Sequence, residues 1–280
     1  MTMIFNTMDG CMMKRNIKCL ACVDEVPAFE GYLVDVWGVL YDGQSKTHIA
    51  DDLLRKMKMH GRIALVSNTS RTSEELAVLL NGKGISETFI DGIFTSGSLC
   101  KERITRHFAA NPQHTFFLMG TAGECNWLTA MLDRQVSSIE TCDFVIAANI
   151  IYENDEEIER SVRKITERGL VVYSTNPDKL VNIGGRIHKA AGYFCQKVRE
   201  AGGTVYEYGK PGEDIFNIAL AGIGVEKENA CMVGDSMKTD ISGGNSASLK
   251  TILVAGCGGL QYSEDELNEG LHDYILNLQG

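Results

Sequence analysis

The sequence lacks any run of about eighteen apolar residues, so no segment reads as a membrane-spanning helix. Its start, MTMIFNTMDGCMMKRN, lacks the apolar stretch of a secretory signal, and the chain reads as soluble and cytoplasmic. Basic residues are too few for a nucleic-acid duplex to be the main partner: 27 Lys and Arg stand against 37 Asp and Glu, a net charge of −10. Duplex binding leans on a basic face to neutralise phosphates. An anionic small substrate remains compatible if the positive field is local, from a metal ion, a lysine or helix N-termini. Only four prolines occur against 29 glycines, which excludes a proline-rich spacer and suits repeated turns between strands and helices. Nine cysteines are scattered without a second C-x-x-C to match Cys19 and Cys22. A zinc site would need that second pair, and a thioredoxin-like pair would need to sit between a strand and a helix, so the cysteines read as reduced thiols. There is no internal repeat and no low-complexity segment.

What is present is alternation. Short apolar runs read as strands at Tyr32–Val36, Ile63–Ser67, Gly92–Thr95, Thr115–Met119, Phe144–Ala147, Leu170–Tyr173, Thr204–Tyr208, Ala230–Val233 and Thr251–Val254. Amphipathic stretches lie between them. In Asp155–Arg168, Ile158, Val162 and Ile165 share one face, Glu156–Arg160 and Glu159–Arg163 lie four apart on the other, and Gly169 marks the stop. Strand–helix alternation of this kind predicts an α/β fold with a parallel sheet covered on both faces. Residues 1–16 read as a loose arm.

Four segments at predicted strand ends carry chemistry, because open parallel sheets place ligands there. In Leu33-Val34-Asp35-Val36-Trp37-Gly38, an apolar strand delivers Asp35 to its edge. A carboxylate there can attack phosphorus, and the Trp37 carbonyl two residues on can face a metal ion. The plainer reading is an aspartate capping a turn. In Ala64-Leu65-Val66-Ser67-Asn68-Thr69, Ser67 ends a strand ahead of a helix, where hydroxyl and N–H groups hold phosphate oxygens; the plainer reading is a helix cap. In Tyr208-Gly209-Lys210-Pro211, Lys210 is placed to neutralise a nucleophile and a transferred phosphoryl group, or is a surface lysine in a turn. In Cys231-Met232-Val233-Gly234-Asp235-Ser236-Met237-Lys238-Thr239-Asp240, a buried strand ends in Gly-Asp with a second aspartate five residues on, at a helix start. Hard oxygen donors of that kind suit Mg²⁺, which keeps waters and takes substrate phosphate; the plainer reading is two capping aspartates.

Taken together, the order Asp, Ser, Lys-Pro, Gly-Asp…Asp resembles the haloacid dehalogenase (HAD) superfamily of phosphotransferases, and within it the NagD-like branch, subfamily IIA. The resemblance runs from about Tyr32 to the C-terminus. It implies a Rossmann-like parallel-sheet core with an inserted α/β cap of the C2 type, and a phosphatase of small phosphorylated metabolites. It implies Asp35 as nucleophile, Ser67 and Lys210 as stabilisers of phosphate and charge, and Mg²⁺ among Asp35, the Trp37 carbonyl, Asp235 and Asp240. Trp37, Gly38 and Asn68 would line the substrate. Ser67 and Lys210 stand 143 positions apart, roughly three times what one helix, one strand and one helix need. The excess places core at 17–98, cap at 99–185 and core again at 186–280. Asn176 and Asp178, in Ser174-Thr175-Asn176-Pro177-Asp178, resemble a substrate-facing cap loop of that branch; read alone, Asn-Pro-Asp is a turn. A homodimer formed through the cap is also among the implications.

One position departs from the pattern. Most phosphatases of the superfamily carry a second aspartate two residues after the nucleophile, to protonate the leaving oxygen and activate water. Here that residue is Trp37, whose indole does neither. Two readings follow: a phosphatase best suited to good leaving groups, or an impaired member that binds Mg²⁺ and a phosphorylated ligand in a regulatory role. Asp42 is a weak substitute, lying beyond the turn. A metal-free dehalogenase has no use for paired Asp235 and Asp240. A dinucleotide site would need G-x-G-x-x-G after the first strand, which Gly184-Gly185 and Gly256-Cys257-Gly258-Gly259 do not supply.

Overall fold

The computed structural model describes residues 17–123, 125–183, 186–257, 260–263, 266–267 and 271–278. The expected arm, 1–16, and the Gly184-Gly185 and Gly258-Gly259 pairs lie outside the described residues. In chain order the strands are β1 (Lys18–Leu20), β2 (Gly31–Val34), β3 (Arg62–Ser67), β4 (Gly92–Thr95), β5 (Phe116–Gly120), β6 (Phe144–Ala148) and β7 (Val171–Ser174). They continue as β8 (Leu180–Ile183), β9 (Arg186–Lys189), β10 (Thr204–Glu207), β11 (Ala230–Gly234), β12 (Lys250–Ala255) and β13 (Tyr274–Asn277). The α-helices are α1 (Ala50–Lys58), α2 (Ser73–Gly82), α3 (Ser96–Ala110), α4 (Asn126–Thr129), α5 (Asp155–Glu167), α6 (Ala191–Glu200), α7 (Glu213–Ile223) and α8 (Ser242–Ser246).

Seven strands form one parallel sheet in the order β1-β13-β12-β11-β2-β3-β4. Its central strands are apolar on both sides because both sides are covered: every residue of β2 and β11 is buried. Leu53, Leu54 and Met57 of α1 pack on one face with Val34, Leu65 and Val233. Ile215, Phe216 and Ala219 of α7 pack on the other with Leu33, Val66 and Met232. From β2 the chain proceeds outward through β3 and β4, and from the adjacent β11 it proceeds the opposite way through β12 and β13. The β2–β11 junction is therefore the switch point of the sheet, where a crevice opens at the strand C-termini.

The cap is a second parallel sheet, β10-β7-β6-β5, beside the antiparallel β8–β9 hairpin. Helix α5 forms as its spacing predicts: Asn154 and Glu157 make a reciprocal capping box, Ile158, Val162 and Ile165 are buried, and Gly169 leaves the helix at φ +63°. Burying each of those three side chains contributes about 2 kcal/mol. The expected return to the core at residue 186 is too early. Helix α6 packs on α5, β6 and β7, and β10 pairs with β7, so this unit extends to Glu207. The run Thr204–Glu207 looks like any core strand locally; only its partner assigns it. Strands β1, β8, β9 and β13 are three or four residues long and carry no clear period, so local pattern does not announce them.

His272 is fully buried, with neither ring nitrogen hydrogen-bonded among the described residues. Burial lowers its pKa, with Asp273 opposing. A group that resists protonation in the folded state leaves the unfolded chain binding more protons below about pH 6.5, so its contribution to stability is lost as pH falls through that region. His272→Leu is therefore expected to flatten the fall in urea midpoint between pH 7 and pH 5; an unchanged slope would show that acid lability arises elsewhere.

Candidate active site

The switch point brings the four sequence segments together. The Asp35 N–H donates to the Val233 carbonyl at 2.8 Å, continuing the β2–β11 ladder by one step and setting Asp35 beside the Gly234-Asp235 tip. Lys210 reaches the same point from the turn after β10. Its Nζ lies 2.6 Å from Asp35 Oδ1 and 2.7 Å from Asp240 Oδ1, with the side chain 2% exposed. Asp35, Asp235 and Asp240 each present a carboxylate oxygen within 4.8 Å of the others, and all three are buried.

The electrostatics are those of a charge-deficient site. Burial raises the Asp35 carboxyl well above its ordinary range, Asp240 and Asp235 add to this, and Lys210 opposes it. Asp235 is raised first by burial, then by Asp240. Burial works against the Lys210 ammonium, but Asp240 and Asp35 outweigh it and hold the group charged. One ammonium faces three acids, and the donors are hard oxygens. That set fits a divalent cation of the Mg²⁺ or Ca²⁺ kind.

The carboxylates differ in their commitments. Asp240 Oδ2 accepts from the Ser236 N–H at 3.0 Å, so with Lys210 on Oδ1 both its oxygens are engaged. It sits in a π-helical turn, Met237–Ile241, opened by Ser236. Gly234 is required beneath it, since a Cβ there would lie 2.2 Å from Asp240 Cγ. Asp235 Oδ2 accepts from the Leu260 N–H at 2.9 Å, and the Tyr262 hydroxyl donates to the Asp235 carbonyl at 3.0 Å. Neither Leu260 nor Tyr262 carries a spacing signal that sequence reading could have used.

Ser67 is buried at the tip of β3, one strand from Asp35. It does not open a helix, as its sequence context suggests: α2 begins at Ser73, capped by Thr72 and Glu75, with a loop between. Asn68 turns inward, accepting the Lys210 N–H at 2.8 Å and donating to the Lys210 carbonyl at 2.9 Å and to Asp178 Oδ1 at 2.9 Å. Asp178 thus meets the core, while Asn176 Oδ1 accepts the Asp178 N–H at 2.7 Å in an Asx turn of its own loop. Ser70 Oγ and Thr175 Oγ1 lie 2.7 Å apart, and Trp127 Nε1 donates to the Ser70 carbonyl at 2.9 Å, adding cap contacts to the same loop.

Trp37 is half-buried, edge-on to Tyr41 with ring centroids 5.7 Å apart. Gly38 follows at φ +81°, where a glycine is favoured, and donates to the Tyr41 carbonyl at 2.8 Å. Asp42 is exposed and tied into a turn, accepting from the Gln44 and Ser45 N–H groups at 2.7 Å each. Those N–H groups, Ser45 first, lower its pKa, which suits an acceptor rather than a proton donor.

Two family models match the chain. Residues 32–131 match "Haloacid dehalogenase-like hydrolase" and residues 207–277 match "HAD-hydrolase-like", together more than half of the sequence. The chain is 25% identical over 256 residues to 5'-nucleotidase YutF of Bacillus subtilis, covering 87% of this chain and 94% of that protein. It is 26% identical over 232 residues to the acid sugar phosphatase of Staphylococcus saprophyticus, covering 81% and 86%. A haloacid dehalogenase-like hydrolase from Brucella suis shares the fold at a TM-score of 0.74 and 21% identity, covering 91% of this chain and 97% of that one. Among the described residues, no helix is long and apolar enough to cross a membrane. With both family models falling on the strand tips that converge at Asp35, Lys210 and Asp235, the chain belongs to the haloacid dehalogenase-like hydrolases.

Proposed function

We propose that the protein is a Mg²⁺-dependent phosphatase of a small phosphorylated metabolite, working through an aspartyl-phosphate at Asp35. The observation that carries the reading is the buried Asp35–Lys210–Asp240 ion-pair chain with Asp235 beside it. A phosphoryl dianion is repelled by lone carboxylates; here a fixed ammonium contacts the nucleophile itself. Asp35, the Trp37 carbonyl and Asp235 would hold Mg²⁺, with Asp240 behind them, and the ion would supply charge neutralisation of the phosphoryl oxygens. Asp35 then attacks phosphorus, the ester oxygen departs, and water later displaces phosphate from the Asp35 carboxyl. Ser67 and Lys210 hold the phosphoryl oxygens throughout. The relatives' names, a 5'-nucleotidase and an acid sugar phosphatase, support a small phosphorylated substrate.

Trp37 shapes the rate. With an indole where a proton donor would serve, and Asp42 committed to its own turn, the leaving oxygen departs with little help. A positioned acid is worth about 10²–10⁴-fold. p-Nitrophenyl phosphate or an acyl phosphate, whose leaving groups need no proton, is expected to turn over on the order of 10²-fold faster than an alkyl sugar phosphate. Trp37→Asp is expected to raise alkyl-phosphate hydrolysis about tenfold or more. Equal rates on both substrate classes, or unchanged kinetics in a folded Trp37→Asp variant, would sink this account. Mg²⁺-dependent ligand binding without phosphate release would instead favour a regulatory, non-catalytic role.

A further inference from the structure

Asn68 is buried, and its side-chain amide is held by four contacts, the longest from the Ser96 hydroxyl to its oxygen at 3.4 Å. Its oxygen takes the Lys210 N–H, and its nitrogen donates one hydrogen to the Lys210 carbonyl and one to Asp178 Oδ1. An amide can be flipped end for end, and only the neighbours decide which way it sits. The Lys210 N–H and carbonyl fix the flip, the Ser96 hydroxyl 3.4 Å from Oδ1 agrees with it, and Asp178 Oδ1 takes the remaining amide hydrogen at 2.9 Å. Both amide hydrogens are then committed, and the reciprocal pair on the Lys210 backbone is anchored through Asn68 to Asp178. The turn has no slack: Gly209 is at φ +118°, and a Cβ there would lie 2.0 Å from Ser96 Oγ and 2.6 Å from Asn68 Oδ1. Asp178 is itself braced, its N–H on Asn176 Oδ1 and its carbonyl accepting from the Gly192 N–H at 3.1 Å.

We infer that Asp178 is a positioning residue: by anchoring the Asn68 amide it holds the Lys210 backbone in place, and so the ammonium on Asp35, without contacting the substrate. The inference rests on the phosphatase reading above. It assigns a loop of the cap to the phosphoryl-handling machinery common to all substrates, where a substrate-facing loop would discriminate among them. The Ser70–Thr175 contact at 2.7 Å pins the same core loop to the same cap loop.

The test compares Asp178→Ala and Asp178→Asn with p-nitrophenyl phosphate and a bulkier alkyl phosphate at saturating Mg²⁺. Asp178→Ala is expected to lower kcat by about 10- to 100-fold, by the same factor on both substrates, with KM within about twofold. Asp178→Asn, which keeps an acceptor oxygen for Asn68, is expected to recover most of that loss. In a Lys210→Met background, Asp178→Ala is expected to change kcat by less than about twofold, because the group it positions is gone. A rise in KM confined to one substrate, an Asn variant as impaired as the Ala variant, or a full additional loss beside Lys210→Met would each overturn the proposal. Should the wild type release no more phosphate than Asp35→Asn, the phosphatase reading itself fails. The positioning claim is then read from metal-free unfolding midpoints of the same single and double variants: non-additive shifts support it, and additive shifts overturn it.

Discussion

Asp35→Asn is expected to remove phosphate release on every substrate, lowering kcat by about 10⁴-fold or more. Asparagine is close to isosteric, keeps an oxygen to accept from Lys210 Nζ, and leaves the backbone bond to Val233 untouched. What disappears is the proposed nucleophile, since an amide oxygen does not form a displaceable acyl phosphate. The same change removes one of three acids crowded into a buried site, so stability should not fall with activity. The unfolding midpoint in EDTA is expected to equal or exceed that of the wild type. A metabolite panel assayed with and without Mg²⁺ reads the first effect, and thermal unfolding reads the second. Phosphate release that survives in the variant would take Asp35 out of the chemistry.

Lys210→Met is expected to harm both function and folding. Lys210 is buried between two carboxylates at 2.6 and 2.7 Å, and methionine fills the channel of its stem without its charge. Breaking a buried pair from one side costs about 3–5 kcal/mol, because the remaining charges have no partner. Here three acids would remain. Loss of a fixed cation facing the transferred group is expected to lower kcat by about 10²–10³-fold. The stability loss should be largest in EDTA and should shrink when Mg²⁺ is added, because a divalent ion relieves the same repulsion. A deficit that Mg²⁺ leaves unchanged would argue that the three carboxylates do not share a cation.

These two variants separate the roles that a shared hydrogen bond disguises. Asp35 and Lys210 are mutual partners, yet one is expected to be dispensable for folding and the other is not. The difference lies in sign: the site has an excess of acids, so removing an acid relieves it and removing the base worsens it.

Sequence alone determined the strands whose tips meet at the switch point and the residues standing on them. Asp35, Ser67, Lys210, Asp235 and Asp240 were legible because each ends or follows an apolar run or a turn, and such runs are local signals. The amphipathic helix Asp155–Glu167 was legible for the same reason, its period and its stop lying within a few residues of each other. Tertiary structure alone decided the pairings. It placed β10 beside β7 and not in the core sheet, ended the inserted unit at Glu207 and not at 185, and put Ser67 before a loop where a helix start was expected. It also turned Asp178 onto Asn68, across 110 positions of sequence, and set Leu260 and Tyr262 behind Asp235. A strand's period says which face it buries, but which neighbour it joins depends on where distant segments compete for the same edge. That competition is resolved only when the chain packs.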